Sequence, residues 1–274
     1  MLISTNSGMY SAVRGRPRIP MVEAMDFFGQ AGFEAVDVNF SAVIYEGDRH
    51  ESILDGDFRA NLDEVQAAAK RNGLVLALTH LPFYRYDMED TATLAHNDAM
   101  MLRAIEATAY IGVKHAVIHP YRDESATTGL DGSITYLTPF REKAAACGVS
   151  LCVENMRDTS AELLVEIADA LESGICWDVG HANLAGLEQR QSIRTLGKRL
   201  KVLHLHDNYG TKDDHSLPFL GTVDWRGIMD GLSDVGYEGV FNYEVNATEL
   251  PLEMRRVHAE YLVEAAKLLL GRNR

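Results

Sequence analysis

Short apolar runs alternate with longer amphipathic stretches along the chain, and the alternation can be counted eight times without an intervening linker. Continuous apolar runs of roughly four to eight residues are typical of buried strands, whereas apolar positions three and four apart indicate helices that bury one face. The predicted strands are residues 2–6, 35–40, 74–80, 116–119, 150–154, 175–178, 202–206 and 240–245. The predicted helices are residues 20–31, 57–71, 90–111, 133–147, 160–172, 187–198, 225–235 and 251–270.

Glycine lies just after six of the predicted helices, before the next strand begins. Glycine accepts the left-handed conformation that ends a helix, so these positions mark the helix-to-strand turns of a repeated unit. The six are Gly32, Gly73, Gly112, Gly148, Gly174 and Gly236.

Eight strand–helix units in 274 residues predict an α/β fold, a single (β/α)8 TIM barrel domain over residues 1–274. The alternative is an open, doubly wound sheet. That fold usually has a glycine-rich phosphate turn after its first strand, but residues 6–11 read Asn-Ser-Gly-Met-Tyr-Ser.

The composition limits the partners. With 26 basic and 40 acidic residues the formal net charge is −14, and no basic run offsets it, so we expect no nucleic-acid partner. No apolar run approaches the roughly eighteen residues of a transmembrane helix. The chain begins without the basic and apolar regions of a secretory signal, so we expect a cytoplasmic protein. Cys147, Cys152 and Cys176 lack CxxC spacing and are interpreted as small core residues.

Side chains that can bind metals recur at the carboxyl ends of the third to eighth predicted strands, where barrel enzymes carry their active sites. Each residue alone could be a turn residue or an ion-pair partner. Carboxylates gathered at a barrel mouth, however, repel one another and lose hydration, and a bound cation offsets both costs. The residues are His80, His119, Glu154, Asp178, His204, His206 and Glu244, with His181 shortly after Asp178. Asp37 and Asn39, on the second predicted strand, either line the same mouth or face solvent.

Residues 201–215 hold the densest group of candidate donors. His204 and His206 fall on one face of the predicted strand because strand side chains alternate. The polar loop that follows adds Asp207, Asp213, Asp214 and His215. Imidazole and carboxylate together suit a divalent transition metal.

Five segments of this chain resemble the xylose isomerase-like barrel superfamily, which includes sugar and sugar-phosphate isomerases and epimerases and the AP endonuclease family 2 enzymes. They are Val153-Glu-Asn155, Trp177-Asp-Val-Gly-His-Ala-Asn-Leu-Ala-Gly186, His204-Leu-His-Asp-Asn208, Gly221-Thr-Val-Asp-Trp225 and Tyr243-Glu244. The resemblance to the epimerase branch implies one divalent ion, Mn²⁺, Zn²⁺, Mg²⁺ or Co²⁺. Its implied ligands are Glu154, Asp178, His204 and Glu244, and the two glutamates are also the implied acid and base.

The chain also aligns with the endonuclease IV branch, which uses a larger metal cluster. That resemblance implies additional metal ligands at His80, His119, His181, Asp213 and His215. We predict substrate-binding or additional metal-binding roles for these five residues and for His206. Asp213 and His215 repeat the Asp-x-His spacing of that branch.

We therefore predict a metal-dependent isomerase or epimerase of a sugar or sugar derivative. It would transfer a proton through a metal-stabilised enediolate of a small carbohydrate. The alternatives are an endonuclease IV-like phosphodiester hydrolase, a lyase or hydrolase of oxidised glycosides, and a sugar-binding barrel without activity. Homo-oligomer formation, the substrate's identity and phosphorylation, and the order in which the two glutamates act are left open.

Overall fold

A computed structural model describes residues 1–10, 19–41, 43–46, 49–83, 91–121, 128–247 and 250–272. At 43–46, 49–52 and 252 only the backbone is described. Asp90, the first residue of the predicted third helix, lies outside these ranges.

Eight strands alternate with helices in the described chain. The barrel strands are β1 (Ile3–Asn6), β2 (Ala35–Asn39), β5 (Val75–His80), β6 (His115–Ile118), β7 (Ser150–Glu154), β8 (Gly174–Asp178), β9 (Leu200–His204) and β10 (Phe241–Tyr243), and two further strands, β3 (Val43–Glu46) and β4 (Arg49–Ser52), lie outside the barrel. The helices are α1 (Met21–Ala31), α2 (Phe58–Arg71), α3 (Thr91–Tyr110), α4 (Leu130–Ala146), α5 (Ala161–Leu171), α6 (Val179–Leu184), α7 (Gln189–Leu196), α8 (Trp225–Val235) and α9 (Leu252–Leu269). Short 3₁₀ helices span Ser7–Tyr10 and Gly197–Arg199. No described helix is both long and apolar enough to cross a membrane.

The strands form one parallel sheet in the order β10-β1-β2-β5-β6-β7-β8-β9. The ends of this sheet meet where Leu205, just after β9, bridges to Tyr243 of β10. The Leu205 amide donates to the Asn242 carbonyl at 2.9 Å, and the Glu244 amide donates to the Leu205 carbonyl at 3.1 Å. The predicted (β/α)8 barrel is therefore confirmed.

The barrel interior is layered because strand side chains alternate between the inside and the outside. One inward layer is apolar and fully buried: Leu78, Val117, Cys152, Cys176 and Val202. Two residues further along β5, β7, β8 and β9 lie His80, Glu154, Asp178 and His204. The apolar layer is the floor on which these polar side chains rest.

Helices pack around the outside with their apolar faces on the strands, as α5 illustrates. The Ser160 hydroxyl accepts a hydrogen bond from the Leu163 amide at 3.2 Å and begins the helix. Leu164, Ile167 and Leu171 are buried toward the sheet.

The expectation that Gly174 ends this helix is wrong. Glu172 takes the left-handed conformation instead, with φ of 49°. Gly174 begins β8. A Cβ there would lie 2.8 Å from Lys201 Cγ and 2.9 Å from Cys152 Sγ, so the side chains from the two neighbouring strands leave room only for glycine. The other five predicted turn glycines have positive φ.

The structure adds elements that were not predicted and shifts others. An antiparallel hairpin, β3 (Val43–Glu46) with β4 (Arg49–Ser52), lies between β2 and α2, and α6 follows β8 directly. Strand β9 ends at His204, so His206 lies beyond it, because Asp207 leaves the sheet to pair with Ser216. His119 likewise follows the end of β6.

Candidate metal centre and active site

Glu154, Asp178, His204 and Glu244 converge at the carboxyl ends of β7, β8, β9 and β10. One donor atom from each lies within 4.8 Å of the others. His204 Nδ1 is 2.9 Å from Glu154 Oε1, 3.1 Å from Glu244 Oε2 and 4.0 Å from Asp178 Oδ2. The side chains of Glu154, Asp178 and His204 are at most 1% exposed, and that of Glu244 is 19% exposed. We call these four residues the quartet.

Strand register brings the quartet together. Asp178 pairs with His204 across β8 and β9, and Glu154 pairs with Cys176, two residues before Asp178. Asn155 then fixes the end of β8, because its side chain accepts from the Asp178 amide at 2.7 Å and donates to the Asp178 carbonyl at 2.9 Å.

The imidazole and carboxylates of this cluster shift one another's pKa values. Burial disfavours the imidazolium of His204, but Cys176 and the negative charges of Glu244 and Glu154 outweigh burial and raise the pKa of His204 well above its usual range. Burial likewise disfavours the Glu154 carboxylate, yet His204 and His119 hold its pKa well below normal. The cluster thus needs positive charge, which protonated imidazole or a cation can supply.

Asp37 lies behind His204 and is fully buried, so it does not face solvent. Its Oδ2 is 3.8 Å from His204 Nε2, a nitrogen without a hydrogen-bond partner among the described residues. Burial raises the pKa of Asp37 to about 6, although His204 opposes this. Asn6 and Asn242 donate to Asp37 Oδ2 at 3.5 and 3.3 Å.

A second group, on α6 and the loop after β9, is built around Asp213. His181 Nε2 and His215 Nε2 lie 3.2 and 3.1 Å from Asp213 Oδ2, and His206 Nε2 lies 3.8 Å from its Oδ1. Burial lowers the basicity of these rings, but neighbouring carboxylates prevail and raise the pKa of His181 to about 10 and of His215 to about 9. Donor atoms of His206, Asp213 and His215 lie within 4.8 Å of one another.

His206 connects this group to the quartet. Its Nε2 is 3.1 Å from both carboxylate oxygens of Asp178, and its ring stacks on His215 with centroids 4.1 Å apart. The ring lies directly against Gly180 of α6, where a Cβ would be 1.9 Å from His206 Cε1. Only glycine leaves room for this imidazole.

A third group covers Glu154 from the β5 and β6 side. His80 Nε2 and His119 Nε2 each lie 3.3 Å from Glu154 Oε2. Burial opposes protonation of both rings; the Glu154 charge nevertheless raises the pKa of His80, whereas burial prevails and lowers the pKa of His119. The phenyl ring of Phe83 packs on His119 with centroids 4.4 Å apart.

The loop that carries Asp213 and His215 is tied down by Asp207. Its carboxylate accepts from Trp225 Nε1 at 2.9 Å and from the Val223 amide at 3.1 Å. A Cβ at Gly221 would lie 2.2 Å from Asp207 Oδ1, so only glycine lets the returning chain approach this closely. Asp207 and the Gly221–Trp225 segment are thus structural and hold the loop over the barrel mouth. Asp214, another candidate donor, pairs with Lys212 at 3.4 Å.

A cavity of about 340 Å³ opens above these groups. Its volume is in the range of small-ligand pockets. Polar site residues form its base and apolar side chains part of its wall. The lining residues are Phe83, His119, Tyr121, Glu154, Met156, Arg157, His181, Leu184, Asp213, His215 and Glu244. The four predicted ligands and the six further predicted residues lie together at the barrel mouth, whereas the candidate donors Asp207 and Asp214 make other contacts. Asp37, Asn155 and Gly180 support the site from behind.

Several solved structures share this fold over nearly their whole length. A D-tagatose 3-epimerase-like protein matches with a TM-score of 0.74 and 21% identity, covering 99% of both chains. D-psicose 3-epimerase, solved in the presence of D-fructose, matches with a TM-score of 0.74 and 17% identity, covering 99% of this chain and 100% of that one. The 3-keto-D-glucoside 4-epimerase YcjR of E. coli matches with a TM-score of 0.70 and 18% identity, covering 96% and 99%.

Two curated proteins are similar in sequence over part of the chain. The uncharacterized protein y4fM of Sinorhizobium fredii is 27% identical over 172 residues, 55% of each chain. The uncharacterized protein MJ1311 of Methanocaldococcus jannaschii is 29% identical over 175 residues, 58% of this chain and 60% of that one. The similarity therefore spans little more than half the length of these relatives.

The family model described as xylose isomerase-like TIM barrel matches residues 26–269, which include all but the first strand of the barrel. With the closed eight-stranded barrel already established, this match shows that the chain belongs to the xylose isomerase-like TIM barrel family.

Proposed function

We propose that this protein is a divalent-metal-dependent isomerase or epimerase of a small carbohydrate. One observation carries the proposal: Glu154 and Glu244, from strands separated by two others, both approach His204 Nδ1 and both line the cavity. Two carboxylates beside one cavity can remove a proton from a substrate carbon and return one.

The quartet fits a divalent cation. Three carboxylates and one imidazole offer donor atoms within 4.8 Å of one another, and three of the four side chains are almost completely buried. Oxygen and nitrogen donors of this kind suit Mn²⁺, Mg²⁺, Co²⁺ or Zn²⁺. When bound, such a cation supplies positive charge that polarises a substrate carbonyl and its neighbouring hydroxyl.

The side chains of the protein carry the remaining chemistry. One glutamate takes the proton from the carbon beside the carbonyl, while the C–H electron pair moves toward the carbonyl oxygen. The other glutamate delivers a proton to the opposite face of that carbon for epimerisation. His80 and His119 hold Glu154 Oε2 from one side, which fixes the orientation of this carboxylate. Phe83 and Tyr121, on the cavity wall, keep water from the reacting carbon.

The comparisons support this choice of reaction class. The solved proteins with the same fold include a D-psicose 3-epimerase and a 3-keto-D-glucoside 4-epimerase, both named for changing the configuration of a sugar. We extend the class, and not either substrate, to this chain.

The test combines metal analysis of the purified protein with a panel of ketoses in deuterated water. We expect bound divalent metal, turnover of at least one ketose, and deuterium at the carbon that changes configuration. At a divalent-cation concentration that saturates each variant, Glu154→Gln and Glu244→Gln should each lower kcat at least about a hundredfold while changing KM little, because each removes a proton carrier. Glu166→Gln, on the exposed face of α5, is the control and should retain full activity. Product without deuterium, or activity retained in both site variants, would disprove the proton-transfer mechanism.

Phosphodiester hydrolysis is a second candidate, favoured by the two further groups around the quartet. His206, Asp213 and His215, and separately His80, His119 and Glu154, each place three donor atoms within 4.8 Å. A hydrolase using several cations would bind more than one equivalent of metal and cleave abasic DNA. The net charge of −14 disfavours that substrate, so we expect neither result.

A further inference from the structure

The imidazole of His204 separates the quartet from another buried carboxylate, that of Asp37. His204 Nδ1 lies 2.9 Å from Glu154 Oε1 and 3.1 Å from Glu244 Oε2, whereas His204 Nε2 lies 3.8 Å from Asp37 Oδ2. The side chains of His204 and Asp37 are both fully buried. Within the described chain, neither His204 Nε2 nor Asp37 Oδ1 has a hydrogen-bond partner. Buried polar atoms without partners are rare, so two of them beside one another call for an explanation.

Two amides from neighbouring strands hold the Asp37 carboxylate behind the ring. Asn6, at the end of β1, and Asn242 of β10 donate to Asp37 Oδ2 at 3.5 and 3.3 Å. The Asn6 oxygen accepts from the Gly8 amide at 2.6 Å. The Asn242 oxygen accepts from the Ser4 hydroxyl at 2.8 Å. These bonds orient both amide nitrogens toward Asp37, so the position of its carboxylate is fixed independently of His204.

A cation at the quartet would determine which nitrogen of His204 carries the proton. A nitrogen that donates its lone pair to a cation carries no proton, and Nδ1 is the nitrogen that faces Glu154 and Glu244. The proton of the neutral ring is then on Nε2, in the barrel interior. An N–H group buried there without an acceptor is destabilising. The Asp37 carboxylate is on that side of the ring, roughly 0.8 Å beyond an ordinary N–H···O distance.

We propose that Asp37 is a positioning residue, which accepts a hydrogen bond from His204 Nε2 and thereby fixes the imidazole tautomer that leaves Nδ1 free to bind a cation. A carboxylate behind a ligating imidazole also orients the ring and makes the ligating nitrogen more basic. Asp37 would thus contribute to cation affinity without being a ligand.

Cys176 is the competing acceptor for the Nε2 proton. Donor atoms of Glu154, Cys176 and His204 lie within 4.8 Å of one another. Burial raises the pKa of the Cys176 thiol well above its usual range, and a neutral thiol is a weak acceptor. We therefore expect the hydrogen bond to go to Asp37.

This inference rests on the metal-binding part of the proposed function, but not on the reaction. Two variants separate the hydrogen bond from the charge of Asp37. In Asp37→Asn, the amides of Asn6 and Asn242 still donate to one oxygen, which should stay near His204 Nε2 and accept from it. Asp37→Leu has a similar size and no acceptor. Cys176→Ala is the matched control because it removes the competing acceptor.

The first measurement is the calorimetric affinity of the intact chain for Mn²⁺. We expect Asp37→Leu to lower it at least about tenfold, the usual effect of losing a partner behind a ligating histidine. Asp37→Asn should stay within about threefold of the parent, and Cys176→Ala should not change the affinity. Thermal unfolding of each cation-free variant shows whether its fold is intact.

The second measurement is ¹⁵N NMR of histidine-labelled protein loaded with Zn²⁺, which is diamagnetic. The His204 signals are identified by their absence in His204→Gln. We expect a proton on Nε2 in the parent, slow to exchange with solvent, and a faster exchange in Asp37→Leu but not in Cys176→Ala. This spectrum of the parent gives an answer even if Asp37→Leu does not fold.

A proton on Nδ1 in the Zn²⁺-loaded parent, or unchanged Mn²⁺ affinity in Asp37→Leu, overturns the inference alone. Equal losses of affinity in Asp37→Asn and Asp37→Leu also overturn it, because they would assign the effect to charge and not to the hydrogen bond. Failure of the parent to bind either cation would overturn the metal site of the quartet and this inference with it. Absence of ketose turnover would leave both metal results standing.

Discussion

Gly180→Ala tests whether close packing of His206 holds Asp178 in place. The new Cβ would lie 1.9 Å from His206 Cε1 and 2.5 Å from Nε2, whereas ordinary contacts are 3.4 Å or longer. The imidazole must therefore move by about 1.5 Å, which its full burial resists. Overpacking of this kind costs about 1–3 kcal/mol. Losing a hydrogen bond to a charged group, here Asp178, adds about 1.5–3 kcal/mol.

The summed destabilisation of about 2.5–6 kcal/mol corresponds to a fall in Tm of about 5–12 °C, since about 1 kcal/mol shifts the Tm of a chain of this size by roughly 2 °C. Thermal unfolding followed by circular dichroism measures it. The control is Gly132→Ala, also in the first turn of a helix, where no atom lies within 4 Å of the new Cβ. That change should raise Tm slightly because alanine favours the helix.

A double-mutant cycle isolates the cause. In a His206→Ala background the imidazole is gone, so Gly180→Ala should alter Tm by no more than about 1 °C. A Gly180→Ala protein as stable as the parent would refute the packing argument, as would an equal loss in both backgrounds.

Three further predictions address the cations and pH. Asp178→Asn should lower the affinity for a divalent cation at least about tenfold in calorimetry, with the fold intact, because it removes a charge from the quartet. Asp214→Asn, in the loop, is the control. Unchanged affinity in Asp178→Asn would show that this residue is not a ligand. His119→Ala should leave the stoichiometry at one cation per chain and should change kcat and KM instead. If the parent binds more than one cation and His119→Ala binds fewer, the multinuclear hydrolase is favoured. Burial lowers the pKa of His258 on α9 to about 4. Its neutral form therefore stabilises the fold above pH 6.5, and that contribution declines as pH falls toward 4. Between pH 7 and pH 5 the parent should lose about 2 kcal/mol more stability than His258→Phe, and equal losses in urea unfolding would contradict this.

The fold could be predicted because each barrel unit repeats the same two periodicities. Strand boundaries such as Ser150–Glu154 coincide with the predicted range, since an apolar run there ends abruptly at a charged residue. The hairpin β3–β4 was missed because its short segments lie outside the repeat. Helix α6 was missed because Asp178, a site residue, is also its N-cap, accepting from the His181 amide at 2.6 Å. One residue serving two purposes gives no separate helix signal.

The site could be predicted as a set of residues, but not as an arrangement. Asp207 looks like a ligand in the sequence, yet its oxygens are used by Trp225 and the backbone. Cys176 is a core residue, as expected, but only strand register reveals that it is the cross-strand partner of Glu154. Such distinctions depend on contacts between residues far apart in the chain, which local pattern does not contain.

The closure of the barrel has a consequence for its motions. Strands β9 and β10 meet through one bridge and two backbone hydrogen bonds among the described residues, whereas the ladders on either side, β8–β9 and β10–β1, pair four and three residues. A short ladder opens locally at lower free energy than a long one, so amide hydrogen exchange should be fastest at this seam within the barrel. Glu244 lies on one side of the seam and His204 on the other. Local opening of the seam would change the distance between Glu244 and His204, while Glu154 and Asp178 would keep their distances to His204. Glu244 is therefore the member of the quartet with the greatest freedom to move with a substrate.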